Sequence, residues 1–89
     1  MDPKELNPRF FGLISMFASA CWQQLGKIPG QPGGTVSKDL EGAQSTIEIL
    51  RMLREKTKGN LTGSEEKLLN DTIAALQENY EEEAGDTAM

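Results

Sequence analysis

The 89-residue chain has no histidine, one cysteine, one tryptophan and one tyrosine, and each scarcity closes off a class of chemistry. Histidine titrates nearest neutrality and is the side chain most often used for acid–base catalysis. A lone Cys21 cannot close an intrachain disulfide, and with neither His nor a second Cys no structural zinc site can be assembled. Without an imidazole base Cys21 also lacks the usual activation of a thiol nucleophile, and it reads instead as a small core residue. Carboxylate-bridged metal sites in helical bundles need inward Glu together with Glu-x-x-His, whereas the acids here fall on solvent-facing positions. No Gly-rich loop links a strand to a helix, so Gly30-Gln31-Pro32-Gly33-Gly34 is a linker rather than a phosphate cradle. No enzymatic activity, cofactor, metal or small-molecule substrate is expected.

Long apolar runs are missing too. The compactly apolar part of the chain, Phe10 to Trp22, would reach only about 20 Å as a helix, against roughly 30 Å of membrane hydrocarbon, and Gln23 and Gln24 close it off. No membrane partner is expected. A signal-like reading competes, because Ala18-Ser19-Ala20-Cys21 is similar to the cleavage box of lipoproteins. The segment before it, however, mixes Asp2 and Glu5 with Lys4 and Arg9, where an export signal would be positively charged.

The net charge is −5, and the imbalance is local. Residues 1–58 nearly cancel, while 59–89 hold Glu65, Glu66, Asp71, Glu78, Glu81, Glu82, Glu83 and Asp86 against Lys67 alone. Neutralising phosphates takes a basic surface, so nucleic acid is not an expected partner. The densest basic cluster, Arg51, Arg54, Lys56 and Lys58, sits where a helix C-terminus favours cations.

What the sequence does hold is helical periodicity, in three pieces. From Phe10 to Leu25 there is no charge at all, and at 100° per residue Phe10, Phe11, Leu13, Ile14, Phe17, Ala18, Cys21, Trp22 and Leu25 fan over roughly 200°, about twice what an ordinary surface helix needs. Gly12, Ser15, Ser19 and Gln23 fill the remaining strip and would let another backbone approach. Asn7 as cap, Pro8 at the first helical position and Gly26 as stop bound a helix over 8–25. Next, Gly26 to Ser37 is rich in Gly and Pro and is read as an exposed loop, its ends pinned by Ile28 and Val36.

A second helix is expected over 38–58, capped by Ser37 or Asp39. Leu40, Ala43, Ile47 and Leu50 form its stripe, which Ile49 and Leu53 broaden; Gly42, unfavourable in a helix interior, hints at a close contact. Gly59 ends that helix, and Thr62 with Glu65 makes a T-x-x-E capping box for the next. The short turn makes the second and third helices an antiparallel hairpin. The third, over 63–83, has one narrow seam of Leu69, Ile73, Leu76 and Tyr80, which makes it peripheral, with the first helix sandwiched. Glu81-Glu82-Glu83 opposes the helix dipole and should fray the end. Residues 1–7 read as flexible and 84–89 as a disordered acidic tail.

Several strings resemble one family. Leu13-Ile14-Ser15-Met16-Phe17-Ala18-Ser19-Ala20, Gln24-Leu25-Gly26-Lys27-Ile28-Pro29, Ala43-Gln44-Ser45-Thr46-Ile47-Glu48-Ile49-Leu50 and above all Glu55-Lys56-Thr57-Lys58-Gly59-Asn60-Leu61-Thr62 are similar to small bacterial proteins known as a domain of unknown function, DUF1844. The resemblance spans about residues 10–83, with Cys21 and Trp22 departing from its usual residues. It implies a cytoplasmic all-helical protein, assigns no activity, and brings no catalytic residues.

The expectation is therefore an all-α domain over 8–83 whose N-terminal helix carries more apolar surface than two neighbours can cover, completed by homo-oligomerisation, with a dimer favoured. The interface residues expected are Phe10, Phe11, Leu13, Ile14, Phe17, Trp22, Leu25, Ile49 and Leu53. Two alternatives stand beside it: a monomeric adaptor whose first helix docks into a partner protein through Phe11, Trp22 and Leu25, and a lipoprotein processed at Cys21.

Overall fold

The computed structural model describes residues 4–28 and 38–87, the side chains of 86 and 87 excepted. It contains three helices, α1 (Pro8–Gln24), α2 (Leu40–Lys56) and α3 (Gly63–Thr87).

Local chemistry sets most of the boundaries. Asn7 Oδ1 accepts from the backbone N–H groups of Arg9 at 2.8 Å and Phe10 at 3.4 Å, and Pro8 follows where its missing donor costs nothing. At the other end Gly26, at φ 79°, lets Lys27 N–H reach Trp22 C=O at 3.0 Å while Gly26 N–H reaches Gln23 C=O at 3.0 Å. Those two bonds satisfy carbonyls that the helix end would otherwise leave open.

Of the two expected caps for α2, Asp39 takes the role, its Oδ1 accepting from Gly42 N–H at 3.0 Å; Ser37 lies outside the described residues, as does Val36. The helix is two residues shorter at each end than the expected 38–58. Asp39 leaves the helical conformation to cap, and at the far end the Thr57 hydroxyl donates to Leu53 C=O at 2.8 Å before Gly59 turns the chain at φ 86°.

The capping box of α3 forms as the sequence predicts: Glu65 N–H donates to Thr62 Oγ1 at 3.2 Å and Thr62 N–H to Glu65 Oε1 at 2.9 Å. Its C-terminus differs from expectation, continuing past Glu83 to Thr87. Glu83 does not repel its neighbours there, because its carboxylate lies between Lys27 Nζ at 2.9 Å and Lys38 Nζ at 2.8 Å.

Three long-range ties fix the direction of the helices. Asn7 N–H donates to Glu65 Oε2 at 2.9 Å and Thr62 Oγ1 donates to Glu5 C=O, so the N-termini of α1 and α3 lie together. Asp39 N–H donates to Gln24 C=O at 2.7 Å and joins the end of α1 to the start of α2. The result is an up-down-up bundle in which α1 and α3 are parallel and α2 runs against both. Residues 5–7, expected to be flexible, are part of this lacing.

Each element gives three residues to the core: Ile14, Cys21 and Leu25; Ala43, Ile47 and Leu50; Leu69, Ile73 and Leu76. All three helix pairs are in contact, which corrects the expectation of a sandwiched first helix and a peripheral third. The bundle measures 46 × 29 × 17 Å.

Candidate interaction surface

The buried arc of α1 is narrow. Ile14 and Cys21 lie inside it with the cap residue Leu25, while Phe10, Phe17, Ala18 and Trp22 are partly covered and pack against the core. Outside it the surface is apolar: Met16 is 59% exposed, Phe11 46% and Leu13 just over a third. Between them run Gly12 and Ser19, both exposed; a methyl group added at Gly12 would meet no atom within 4 Å. From Phe10 through Leu25 no side chain carries a charge. A solvent-facing helix normally keeps charged residues on its outer face.

The neighbouring helices extend this surface on both sides. The Gln24 amide nitrogen lies 2.7 Å from Thr46 Oγ1 and Cys21 Sγ is 3.7 Å from Ala43 C=O, which joins the last turns of α1 to the first turns of α2. Ile49, more than a third exposed, follows Thr46 and Gly42 by three and seven positions and so shares the side of α2 that meets α1, whereas Met52, 49% exposed, is turned away from it. On the other side, Ala18 and Trp22 of α1 and Leu68, Thr72 and Ala75 of α3 line a mostly apolar groove of about 450 Å³. Lys67 and Asp71, paired at 2.7 Å, rim it.

Of the nine residues expected at an interface, Phe11, Leu13 and Ile49 are exposed, and Phe10, Phe17, Trp22 and Leu53 are half-buried. Ile14 and Leu25 are fully buried in the subunit's own core, which removes them from any outward face and removes Leu25 as an anchor for an adaptor. Met16 and Met52, absent from the expected set, are the most exposed large apolar side chains among the described residues. Their signal in the sequence was apolar character at the edge of each stripe, where periodicity alone does not separate flank from solvent. Ile28, expected to pin the loop, is exposed.

The polar clusters are occupied in holding the bundle. Arg51 donates to Gln77 Oε1 at 2.7 Å and Arg54 to Asn70 Oδ1 at 3.3 Å, stitching α2 to α3. The Glu65 carboxyl is held below its ordinary range chiefly by the Thr62 and then the Asn7 backbone N–H groups, and the Glu83 carboxyl by hydrogen bonds from Lys38 and Lys27. Burial pushes the Cys21 thiol up to about 11, so it stays protonated at neutral pH and inert as a nucleophile. Among the described residues no group of three His, Cys, Asp or Glu side chains could hold a metal ion, and no helix is long and apolar enough to cross a membrane.

Charge is polarised along the bundle axis. Among the described residues, the end holding Asn7 and Thr62 is nearly balanced, with Lys4, Arg9, Arg54, Lys56, Lys58 and Lys67 against Glu5, Glu55, Glu65, Glu66 and Asp71. The end holding Leu25 carries Asp39, Glu41, Glu78, Glu81, Glu82 and Glu83 against Lys27 and Lys38. The central part of α1 is uncharged between them.

Residues 7–82, most of the chain, match the family described as "Domain of unknown function (DUF1844)". No curated protein and no solved structure matches it.

Proposed function

From a chain that belongs to the DUF1844 family, whose description carries no activity, we propose a non-enzymatic, cytosolic module that works by self-association through the outer face of α1, with a homodimer as the unit. The observation that carries this reading is the exposure of Phe11, Leu13 and Met16 on a helix without a charged residue from Phe10 to Leu25, with Ile49 exposed on α2. Exposed apolar surface of this kind marks interfaces, and a small domain with nine buried apolar residues among those described gains stability by associating. The absence of histidine, together with the use of Glu65 and Glu83 as cap and clamp, supports the non-enzymatic part.

Sedimentation equilibrium tests the reading. The wild-type chain is expected to show a concentration-dependent monomer–dimer equilibrium. Met16→Glu places a charge at the most exposed point of the face, and it should weaken the dimer at least 100-fold while leaving the far-UV circular dichroism unchanged. A wild-type protein that stays monomeric at every concentration refutes the proposal.

The groove beside Trp22 favours a second reading, in which a bulky apolar side chain of another protein fills the 450 Å³ between α1 and α3. The lipoprotein alternative has only the Ala18-Ser19-Ala20-Cys21 string in its favour, and the mixed charges before it differ from those of an export signal.

A further inference from the structure

We infer that Met16 is an oxidative modification site: hydrogen peroxide converts its thioether to the sulfoxide, and the polar group formed on the outer face of α1 opposes self-association. The site stands on exposure and chemistry alone, whereas its effect rests on the self-association proposed above.

Two methionines lie among the described residues, Met16 at 59% and Met52 at 49% exposed, so both are open to solvent. Their surroundings differ. On a helix the side chains within reach of a given position stand three and four residues away. For Met16 these belong to Gly12, Leu13, Ser19 and Ala20, none of them charged. A helical methionine leans toward the preceding turn, and there Gly12 has no side chain; a methyl group built on it would meet no atom within 4 Å. For Met52 the neighbours are Glu48, Ile49, Glu55 and Lys56. A sulfoxide dipole adds little to three charges, but between Gly12, Leu13 and Ala20 it changes the character of the surface.

The step is a two-electron oxygen transfer. A lone pair on sulfur attacks one peroxide oxygen, and the S–O bond forms as the O–O bond breaks. The proton on the transferred oxygen passes to the departing hydroxide, which leaves as water, so sulfur is oxidised and peroxide reduced. The competing sulfur, Cys21, is fully buried and does not meet the oxidant in the folded chain. A sulfoxide oxygen enclosed in an apolar contact would lose its hydrogen bonds to water without replacement, so the modified face is more stable left in solvent. Conversely, a second copy seated on α1 shields Met16, and oxidation then proceeds through the separated chain.

Peroxide treatment, read by peptide mass mapping and by sedimentation equilibrium, tests the site and its effect separately. In dilute protein Met16 and Met52 should each gain one oxygen at comparable rates; at concentrations where the chain is dimeric, Met16 should slow and Met52 should not. Leu replaces Met with little change of volume, so Met16→Leu and Met52→Leu should both associate like wild type before treatment. After it, Met52→Leu should show a dimer dissociation constant raised about 10-fold or more with its far-UV circular dichroism unchanged, and Met16→Leu should keep its original value. Met1 and Met89 are common to both variants and cancel from the comparison. Resistance of Met16 in dilute protein whose Met52 is fully converted overturns the site. Oxidised Met52→Leu that dimerises as tightly as before overturns the effect and leaves self-association standing, whereas a chain monomeric at every concentration before treatment overturns that reading and the effect with it.

Discussion

At Gly42 the usual gain from replacing a helical glycine is reversed. In an open helix, Ala in place of Gly stabilises by about 1 kcal/mol. Here a Cβ would press against the Asp39 carboxylate that caps α2 and come within 2.8 Å of the Gln24 amide. Gln24 is itself held by Thr46, so neither neighbour can withdraw without losing a hydrogen bond. Gly42→Ala is therefore expected to lower stability by about 1 kcal/mol, roughly the worth of a lost N-cap, measured as a shift in the urea midpoint. A rise in that midpoint would mean that the cap and the α1–α2 contact give way freely. The sequence flagged this glycine because it sits early in a helix, but it did not identify Asp39 and Gln24 as the groups it makes room for.

For whole elements, what could be read in advance depended on how far apart the interacting residues stand. Asn7-Pro8 and Thr62-x-x-Glu65 announce helix starts because the side chain and the N–H group it satisfies are within three positions of each other. The C-terminus of α3 could not be read in that way. Its acidic run looks self-repelling until Lys27 and Lys38, 56 and 45 positions before Glu83, are brought against it. The tie from Asn7 to Glu65 spans 58 positions and was equally invisible. The same limit shaped the candidate surface: periodicity put Phe11, Leu13 and Ile49 on apolar stripes, but it could not tell which part of α1 would face α2 and α3. Ile14 and Leu25 were consequently placed outside, and Met16 and Met52 were missed. If the two lysines hold the end of α3, Lys27→Ala combined with Lys38→Ala should release it. Amide hydrogen exchange from Glu81 onward should then speed up at least tenfold while exchange in α1 and the first half of α3 stays put. Unchanged protection there would show that α3 persists without the clamp.

For the molecule as a whole, Glu65 and Glu83 brace opposite ends of the bundle, one joining the helix N-termini and the other the loop flanks and the end of α3. Both carboxyls are held below the ordinary 4.5 in the folded chain. A depressed folded-state value means that their contribution is complete above that ordinary value and is lost as pH falls through it toward the folded-state values. The urea midpoint should accordingly be flat from neutrality to about pH 5.5 and decline below about 4.5. Glu65→Gln with Glu83→Gln should start from a lower midpoint at pH 7 and show a shallower acid limb. An acid limb identical to wild type would assign the loss to other carboxylates.

The clamp at Glu83 also bears on how the chain could be rebuilt. Lys27 and Lys38 meet on one carboxylate, and Asp39 bonds directly to Gln24, so the two sides of the connection are held together whatever length of chain joins them. Doubling that connection would add only about 0.6 kcal/mol of closure entropy. Between Lys27 and Lys38, then, is where a reporter, an affinity handle or a second domain could be grafted without loosening the three helices.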